Sequence, residues 1–441
     1  MTTRTTMKII AIAFIAIIMS GVPSSVEAEE KTYTLEDAYR AALSTNELIK
    51  IAEENSAQSE YRVDQAWTYL YPRVDGRGLY TKYNKSLPPN GQQPLLFQPE
   101  SQLAATLVLT QPLYTGGRTL AALRSAQKMR ITSNAELAIA KQDMMVNVAD
   151  AYYAVLKARK TVDISRRSLE RMERHHQVTQ REAATRKTKA NQSALLRANT
   201  LVSQAKILLV RSEDALKIAR DRLSLLTKLP QDLSVAEPPA LEAPSQGLDN
   251  LKKSALETRD DYAKSKIDQN IAEENVTIVK GGHYPQLYGE AGMTYASSSP
   301  EMVTDATVFY AGLRLQVPIF EGGLMKAEVS EAKSKVRQAE LSSEFLRKTI
   351  ESDVQEAYIN LQTLTSVLDT AKIQRDYAQG NYEAVEGLFS EGLLASLSLI
   401  DAEQALTAAE RELVNASYDR EVSILRLERA TGRLGKDRQY N

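Results

Sequence analysis

The chain of 441 residues contains no cysteine, a single tryptophan (Trp67) and only three histidines. Without cysteine there is no disulfide framework, no thiolate metal site and no amino-terminal cysteine to carry a lipid. Two of the histidines, His175 and His176, are adjacent. On a helix they point about 100° apart and do not chelate together as an i, i+4 pair does. The third, His283, stands alone. There is no phosphate-cradling glycine loop, no Gly-x-Ser-x-Gly turn and no cluster of carboxylates after a strand. These absences speak against an enzyme, a metal site or a cofactor. An excess of charge is missing as well: 55 Lys and Arg face 56 Asp and Glu, a formal −1. No global charge therefore recruits nucleic acid.

Long apolar runs are absent with one exception, Ile9 to Met19. Arg4 and Lys8 precede it and Val26-Glu27-Ala28 follows, so residues 1–28 have the order of a secretory signal peptide. A helix that crosses a bilayer needs about 20 apolar residues, and no later segment reaches that length. A chain of this kind enters a membrane only as strands.

What is present is a repeat. Tyr71-Pro72 recurs as Tyr284-Pro285, and Pro112-Leu113-Tyr114-Thr115-Gly116-Gly117 as Pro318-Ile319-Phe320-Glu321-Gly322-Gly323. Asp150-Ala151-Tyr152 matches Glu356-Ala357-Tyr358, and Arg222-Leu223 matches Arg426-Leu427. Duplication at this length predicts a pseudo-symmetric molecule. The division it suggests is 29–229 and 248–441, joined by an extended proline-bearing connector, 230–247.

Each unit opens with an amphipathic helical stretch, about Leu35 to Tyr69 and Leu248 to Val279. Tyr-Pro ends it, because proline lacks the donor and moves its predecessor out of the α region. Extended segments follow at about 73–83, 101–111, 286–295 and 306–317. Leu103, Ala105, Leu107 and Leu109 alternate with Gln102, Ala104, Thr106, Val108 and Thr110, and Phe309, Ala311, Leu313 and Leu315 with Val308, Tyr310, Gly312, Arg314 and Gln316. Segments of about 10 residues with one apolar face suit tilted transmembrane strands. They suit a soluble antiparallel hairpin equally. Tyr80, Tyr83, Tyr295 and Tyr310 are candidates for a belt at headgroup level.

After the glycine pair, Gly116-Gly117 or Gly322-Gly323, each unit becomes a helical hairpin, about 118–228 and 324–433. Pro72, Pro112, Pro285 and Pro318, with these glycines, read as strand-to-helix hinges. The returning helices carry heptads: Leu195, Ala198, Val202, Ala205, Leu209 and Ser212 continue to Leu226, and Leu399, Ala402, Leu406, Ala409, Leu413 and Ala416 share their register. Alternate spacings of three and four are the signal of knobs-into-holes packing. The Arg and Glu residues on the remaining faces read as a solvated surface.

A signal peptide, no cysteine, and a twofold repeat of helix, Tyr-Pro, hairpin, Pro-x-x-x-Gly-Gly and heptad hairpin resembles the TolC family of outer-membrane efflux proteins. The resemblance covers the whole mature chain. It implies a mainly α fold with a small transmembrane β part: a homotrimer whose chains each give four strands to a twelve-stranded β-barrel, continuous with a long periplasmic α-helical coiled-coil barrel. It implies a passive exit duct of a tripartite efflux or type I secretion system in the bacterial outer membrane. The partners implied are the chain itself, a periplasmic adaptor and an inner-membrane pump or ABC exporter, with no cofactor and no nucleic acid. A periplasmic coiled-coil adaptor or spacer without a pore is the alternative.

The resemblance also points to the hairpin tips. A glycine followed nine residues later by Asp-Ala is present as Gly392 and Asp401-Ala402, so Asp401 is expected to form a ring of carboxylates at the constriction. Ser398 stands where the best-known member has a second aspartate, and Arg197 stands opposite Asp401 in the first unit. Thr188, Lys187, Lys189, Gly392 and Leu393 fall at the tips expected to meet the adaptor. The family's polar latch is not matched, because its positions here are Phe389, Leu394 and Ala194. Closure is then expected to rest on packing or on Arg197 pairing with Asp401.

Overall fold

The computed structural model describes residues 32–85, 98–186, 188–299, 306–391 and 393–436. The leader 1–28, Lys187 and Gly392 lie outside them. Twice in succession the chain passes through the same series of elements. The first pass is β1 (Thr32–Tyr33), α1 (Leu35–Thr45), α2 (Glu47–Thr68), β2 (Arg73–Lys82), β3 (Ser101–Tyr114), α3 (Arg118–Thr185) and α4 (Lys189–Thr227). The second is β4 (Ser234–Val235), α5 (Leu248–Thr258), α6 (Asp260–Gly282), β5 (Gln286–Ser299), β6 (Ala306–Gln316), α7 (Leu324–Ser390) and α8 (Ser396–Ala430).

Several boundaries differ from the sequence expectation, each for a local reason. The opening helix of the first unit is two helices. Asn46 is extended, accepts from Leu48 N to cap α2, and donates from its amide to Leu226 O at 3.0 Å. That tie to the end of α4 bends the chain where periodicity alone reads straight through. In the second unit the break falls at the extended Arg259, which is buried and paired with Asp261 at 2.6 Å and Asp353 at 3.2 Å. The connector is not wholly extended coil either, because Ser234–Val235 pairs in parallel with Thr32–Tyr33. β3 runs past Pro112 to Tyr114, since a register shift between them absorbs the missing donor. β5 extends to Ser299, whereas β2 stops at Lys82 and β6 at Gln316.

The four long strands form one antiparallel sheet in the order β2-β3-β5-β6. Its register aligns the apolar sets. Val74 faces Leu109, Leu109 faces Ala291 and Ala291 faces Ala311; Leu107 faces Met293 and Met293 faces Phe309. The opposite face carries Arg73, Asp75, Arg77, Glu290 and Arg314, the last two paired at 2.7 Å. This register corrects the aromatic belt. Tyr310 shares the polar face with Arg314 and lies over Gly292, and Tyr83 lies beyond the end of β2, so Tyr80 and Tyr295 alone among the candidates sit on the apolar face.

The helices leave the sheet through glycine pairs that only glycine accommodates without strain: φ is 66° and 81° at Gly116 and Gly117, and 60° and 91° at Gly322 and Gly323. α3 has 68 residues and α7 has 67. At about 1.5 Å per residue each is roughly 100 Å long. α4 packs on α3, α3 on α8 and α8 on α7, so the hairpins stand side by side. The main core lies partway down the hairpins, where α1, α3, α4, α8 and the β1–β4 pair converge on Tyr39, Tyr152, Leu156 and Leu223. Tyr152 donates to the carbonyl oxygens of Tyr33 and Ala236, and burial pushes its phenol up to about 12. No helix among the described residues is long and apolar enough to cross a membrane.

Candidate functional site: the hairpin tips

Both tips are tight turns built by local hydrogen bonds. In the first, Thr188 caps α4 by accepting from Asn191 N at 3.2 Å, and the Asn191 amide donates to Arg186 O at 2.8 Å. Lys189 and Arg197 are exposed on α4. In the second, Leu393 N donates to Leu388 O at 2.9 Å, leaving the Leu393 side chain in solvent. On α8 Asp401 is exposed, Ser398 half-buried and Ala402 buried, as their heptad positions require. No ion pair joins Arg197 to Asp401 within the chain among the described residues.

Phe389, which stands in the latch position, packs instead of hydrogen-bonding. It is buried with Tyr382, Leu399, Ala402 and Leu406, and its ring lies 5.3 Å from that of His175. His175 Nε2 and Ser396 Oγ are 2.7 Å apart, so the last turns of α3 hold the start of α8. His175 Nδ1 is buried without a partner, and burial, with His176 beside it, lowers the pKa of the ring below the ordinary 6.5. Sequence reasoning noticed this histidine only as a poor metal ligand. No sequence signal marked it, because Phe389 and Ser396 meet it only through the packing of three helices.

The second feature missed is a buried charge network one turn further up. Arg171 of α3 reaches Glu403 of α8 at 3.2 Å and Glu410 at 3.5 Å, with both ends of the first pair almost fully buried. Ser168 and Thr407 hydroxyls donate to the same Glu403 oxygen at 2.6 and 2.8 Å. Arg171 also lies over the Tyr382 ring at 5.6 Å. These residues belong to faces read from sequence as solvated. They are a seam instead, which continues upward through Arg411–Ser165, Lys157–Asp419, Arg426–Asp150 and Arg429–Asp143.

The hinge residues divide by repeat. A Cβ on Gly116 would strike the Gly281 carbonyl, so the first hinge is lodged against the end of α6; Gly322 and Gly323 have open space around theirs. Pro72 and Pro285 stand just before β2 and β5, and Pro318 follows β6. No group of three His, Cys, Asp or Glu residues among the described residues is arranged to hold a metal ion.

With the geometry of the tips and hinges in place, the chain can be compared with known proteins. The sequence profile of the outer membrane efflux protein family matches residues 38–227 and 251–433. Outer membrane protein TolC of Vibrio cholerae is 23% identical over 442 residues, covering 98% of this chain and 97% of that one. Outer membrane protein TolC of Escherichia coli K12 is 23% identical, covering 98% and 87%. Among solved structures, the Campylobacter jejuni CmeC outer membrane channel superposes with a TM-score of 0.80 at 16% identity over 92% of this chain and 87% of that one. VceC from Vibrio cholerae gives 0.76 at 17% identity over 90% and 96%. The chain belongs to the outer membrane efflux protein family, the channels through which efflux pumps open across the outer membrane.

Proposed function

We propose that three copies of this chain join their sheets into one twelve-stranded barrel and their helices into one tunnel. Substrates handed over by an energised inner-membrane pump then leave passively, without chemistry of the channel's own. The observation that carries this reading is the sheet: four strands, one continuous apolar face, and two edges, β2 and β6, with no partner among the described residues. Four strands do not close on themselves around a pore, and an apolar face with open edges requires further strands. In this reading residues 1–28 are the export leader, and the units 29–229 and 248–441 meet through the connector 230–247.

The tips around Lys187, Thr188, Lys189, Gly392 and Leu393 are where a periplasmic adaptor docks in this reading, and Asp401 supplies the carboxylate ring of the constriction. From Asp376 to Glu410 the second hairpin has seven acidic residues and no Lys, Arg or His, which supports cation preference there. Conductance of the detergent-purified protein in planar bilayers tests both parts. Discrete channel steps whose cation selectivity weakens in Asp401→Ala are expected. Unchanged selectivity in the variant removes Asp401 from the constriction, and a protein silent in bilayers removes the pore.

A further inference from the structure

The strand register stacks the polar face of the sheet into rungs two residues apart, about 7 Å along each strand. Arg73 shares a rung with Glu290, Asp75 shares the next with Tyr310, and Arg77 shares the third with Thr106 and Thr294. Arg314 stands nearest the hinges, facing Tyr288. Among the described residues the four strands therefore set three arginines against two carboxylates on this face, one positive charge in excess per chain.

Two of the three arginines are engaged. Arg73 Nη2 lies 2.7 Å from Asp75 Oδ1, and Arg314 Nε lies 2.7 Å from Glu290 Oε1, with its guanidinium 4.7 Å from the centre of the Tyr288 ring. Arg77, midway along β2, is exposed and has no ion pair among the described residues. Its rung holds two threonine hydroxyls and no carboxylate. An arginine that only tied strands together would have a partner across the sheet, as Arg314 has in Glu290. Arg77 instead presents a planar guanidinium beside hydroxyl donors, the set of groups that receives the oxygens of a carboxylate or phosphate.

We propose that Arg77, with Thr106 and Thr294, is an anion-binding rung inside the barrel, and that its copies form a basic girdle for the carboxylate or phosphate groups of departing solutes. This rests on the barrel reading above, in which the apolar face meets lipid and the polar face lines the lumen. A ring of arginines favours anions as a ring of carboxylates favours cations. The girdle is then a filter of opposite sign in series with the acidic stretch from Asp376 to Glu410. A solute that carries both an amine and a carboxylate or phosphate meets a complementary ring at each end of the duct.

Single-channel recording of the full chain with tripolyphosphate as the probe tests this. Reversible block of the open channel is expected, weaker by about tenfold in Arg77→Gln, the loss of a charge-assisted hydrogen bond. Lys82→Gln, which removes a like charge from the opposite face of the same strand, should leave the block unchanged. In a KCl gradient Arg77→Gln should also move the reversal potential towards greater cation preference, opposite in sign to the shift in Asp401→Ala. Thr106→Val with Thr294→Val keeps the charge and should weaken the block about threefold, the loss of neutral hydrogen bonds, without moving the reversal potential. That pair decides the matter if Arg77→Gln fails to assemble. Channel steps with undiminished block in Arg77→Gln, or in the double valine variant where Arg77→Gln fails, overturn the rung and leave the barrel standing. Equal weakening by Lys82→Gln overturns the rung too, because the block then follows net charge and not the polar face. An unsubstituted chain without channel steps overturns the barrel, and the rung with it.

Discussion

Two kinds of seam run down the helical part of this molecule, and they are built from opposite chemistry. Within each hairpin, α3 with α4 and α7 with α8, the contact is a heptad stripe in which Leu223, Leu399 and Leu406 are buried beside Ala198, Ala205, Ala402 and Ala409. Between the hairpins, α3 with α8, polar rungs run from Arg429–Asp143 down to His175–Ser396, interrupted where Tyr418 and Leu425 join the apolar core of α3. An apolar seam gains from excluding water along its whole length and has no partners to exchange. A polar ladder can release a rung to water and take it up again, except where the rung is buried. The hairpins are thus the rigid bodies, and the α3–α8 seam is where they can shift, held by its buried end near the tips.

Removing the buried rung should therefore do the most damage. Glu403→Ala leaves Arg171 with Thr407 Oγ1 at 3.1 Å and the longer contact to Glu410, and removes the acceptor of the Ser168 and Thr407 hydroxyls. Breaking a buried pair by deleting one partner costs about 4 kcal/mol. A large fall in the thermal midpoint of the detergent-purified protein is expected, with most of it recovered in Glu403→Gln, which still accepts from Ser168. Equal loss in both variants would show that the hydrogen bonds contribute little beside the charge. Next comes the apolar seam. Leu406→Ala opens a cavity among Tyr382, Phe389 and Leu399 and should cost about 3 kcal/mol, read from the same midpoint. A smaller loss than that of a rim rung such as Arg426→Ala would undo the contrast between the seams. The rim rung is exposed, and such pairs contribute about 0–1 kcal/mol.

The difference between the seams also explains what could be read from the sequence. The heptads were legible because burial of one helix against its own hairpin partner imposes a period on that helix alone: every position from Leu195 to Leu226 in the stripe is buried or half-buried. The strands were legible for the same reason, with period two in place of three and four. The α3–α8 seam leaves no such mark. Arg171 and Glu403 look like any charged residues on a helical face, and only the packing of helices far apart in sequence brings them together. The break at Asn46 was hidden likewise, since its amide is held by Leu226 from the other end of the unit. Of the candidate site, the turns could be placed to within a few residues, while the contacts that hold them, His175 with Ser396 and Phe389, depend on three helices at once.

His175 gives the finest test of the comparison, because it closes the polar seam with a group that must stay neutral. Its burial lowers its pKa from 6.5, and Nδ1 has no acceptor to meet if it gains a proton. The carboxylates on the adjoining helices are already engaged, Glu386 by the Tyr382 hydroxyl at 3.0 Å and Glu403 by Ser168, Thr407 and Arg171. On its own helix Arg171, Arg174 and His176 are basic or become so in acid, while Glu173 is paired with Lys206 at 3.6 Å and Glu170 is exposed. A folded-state pKa below the unfolded value means that the stabilisation is complete above the unfolded pKa of about 6.5 and is lost as pH falls through the folded value. Acid should therefore loosen the join of α8 to α3 while leaving the apolar stripes intact. Backbone hydrogen exchange at 388–400, corrected for its intrinsic pH dependence, should rise between pH 7.5 and 5.5 with no matching rise in the stripe around Leu223. In His175→Phe, which keeps the packing on Phe389 and cannot be protonated, that rise should vanish. If the variant loosens in acid as the unsubstituted chain does, the proton acts elsewhere in the seam, and the rungs of paired carboxylates become the place to look.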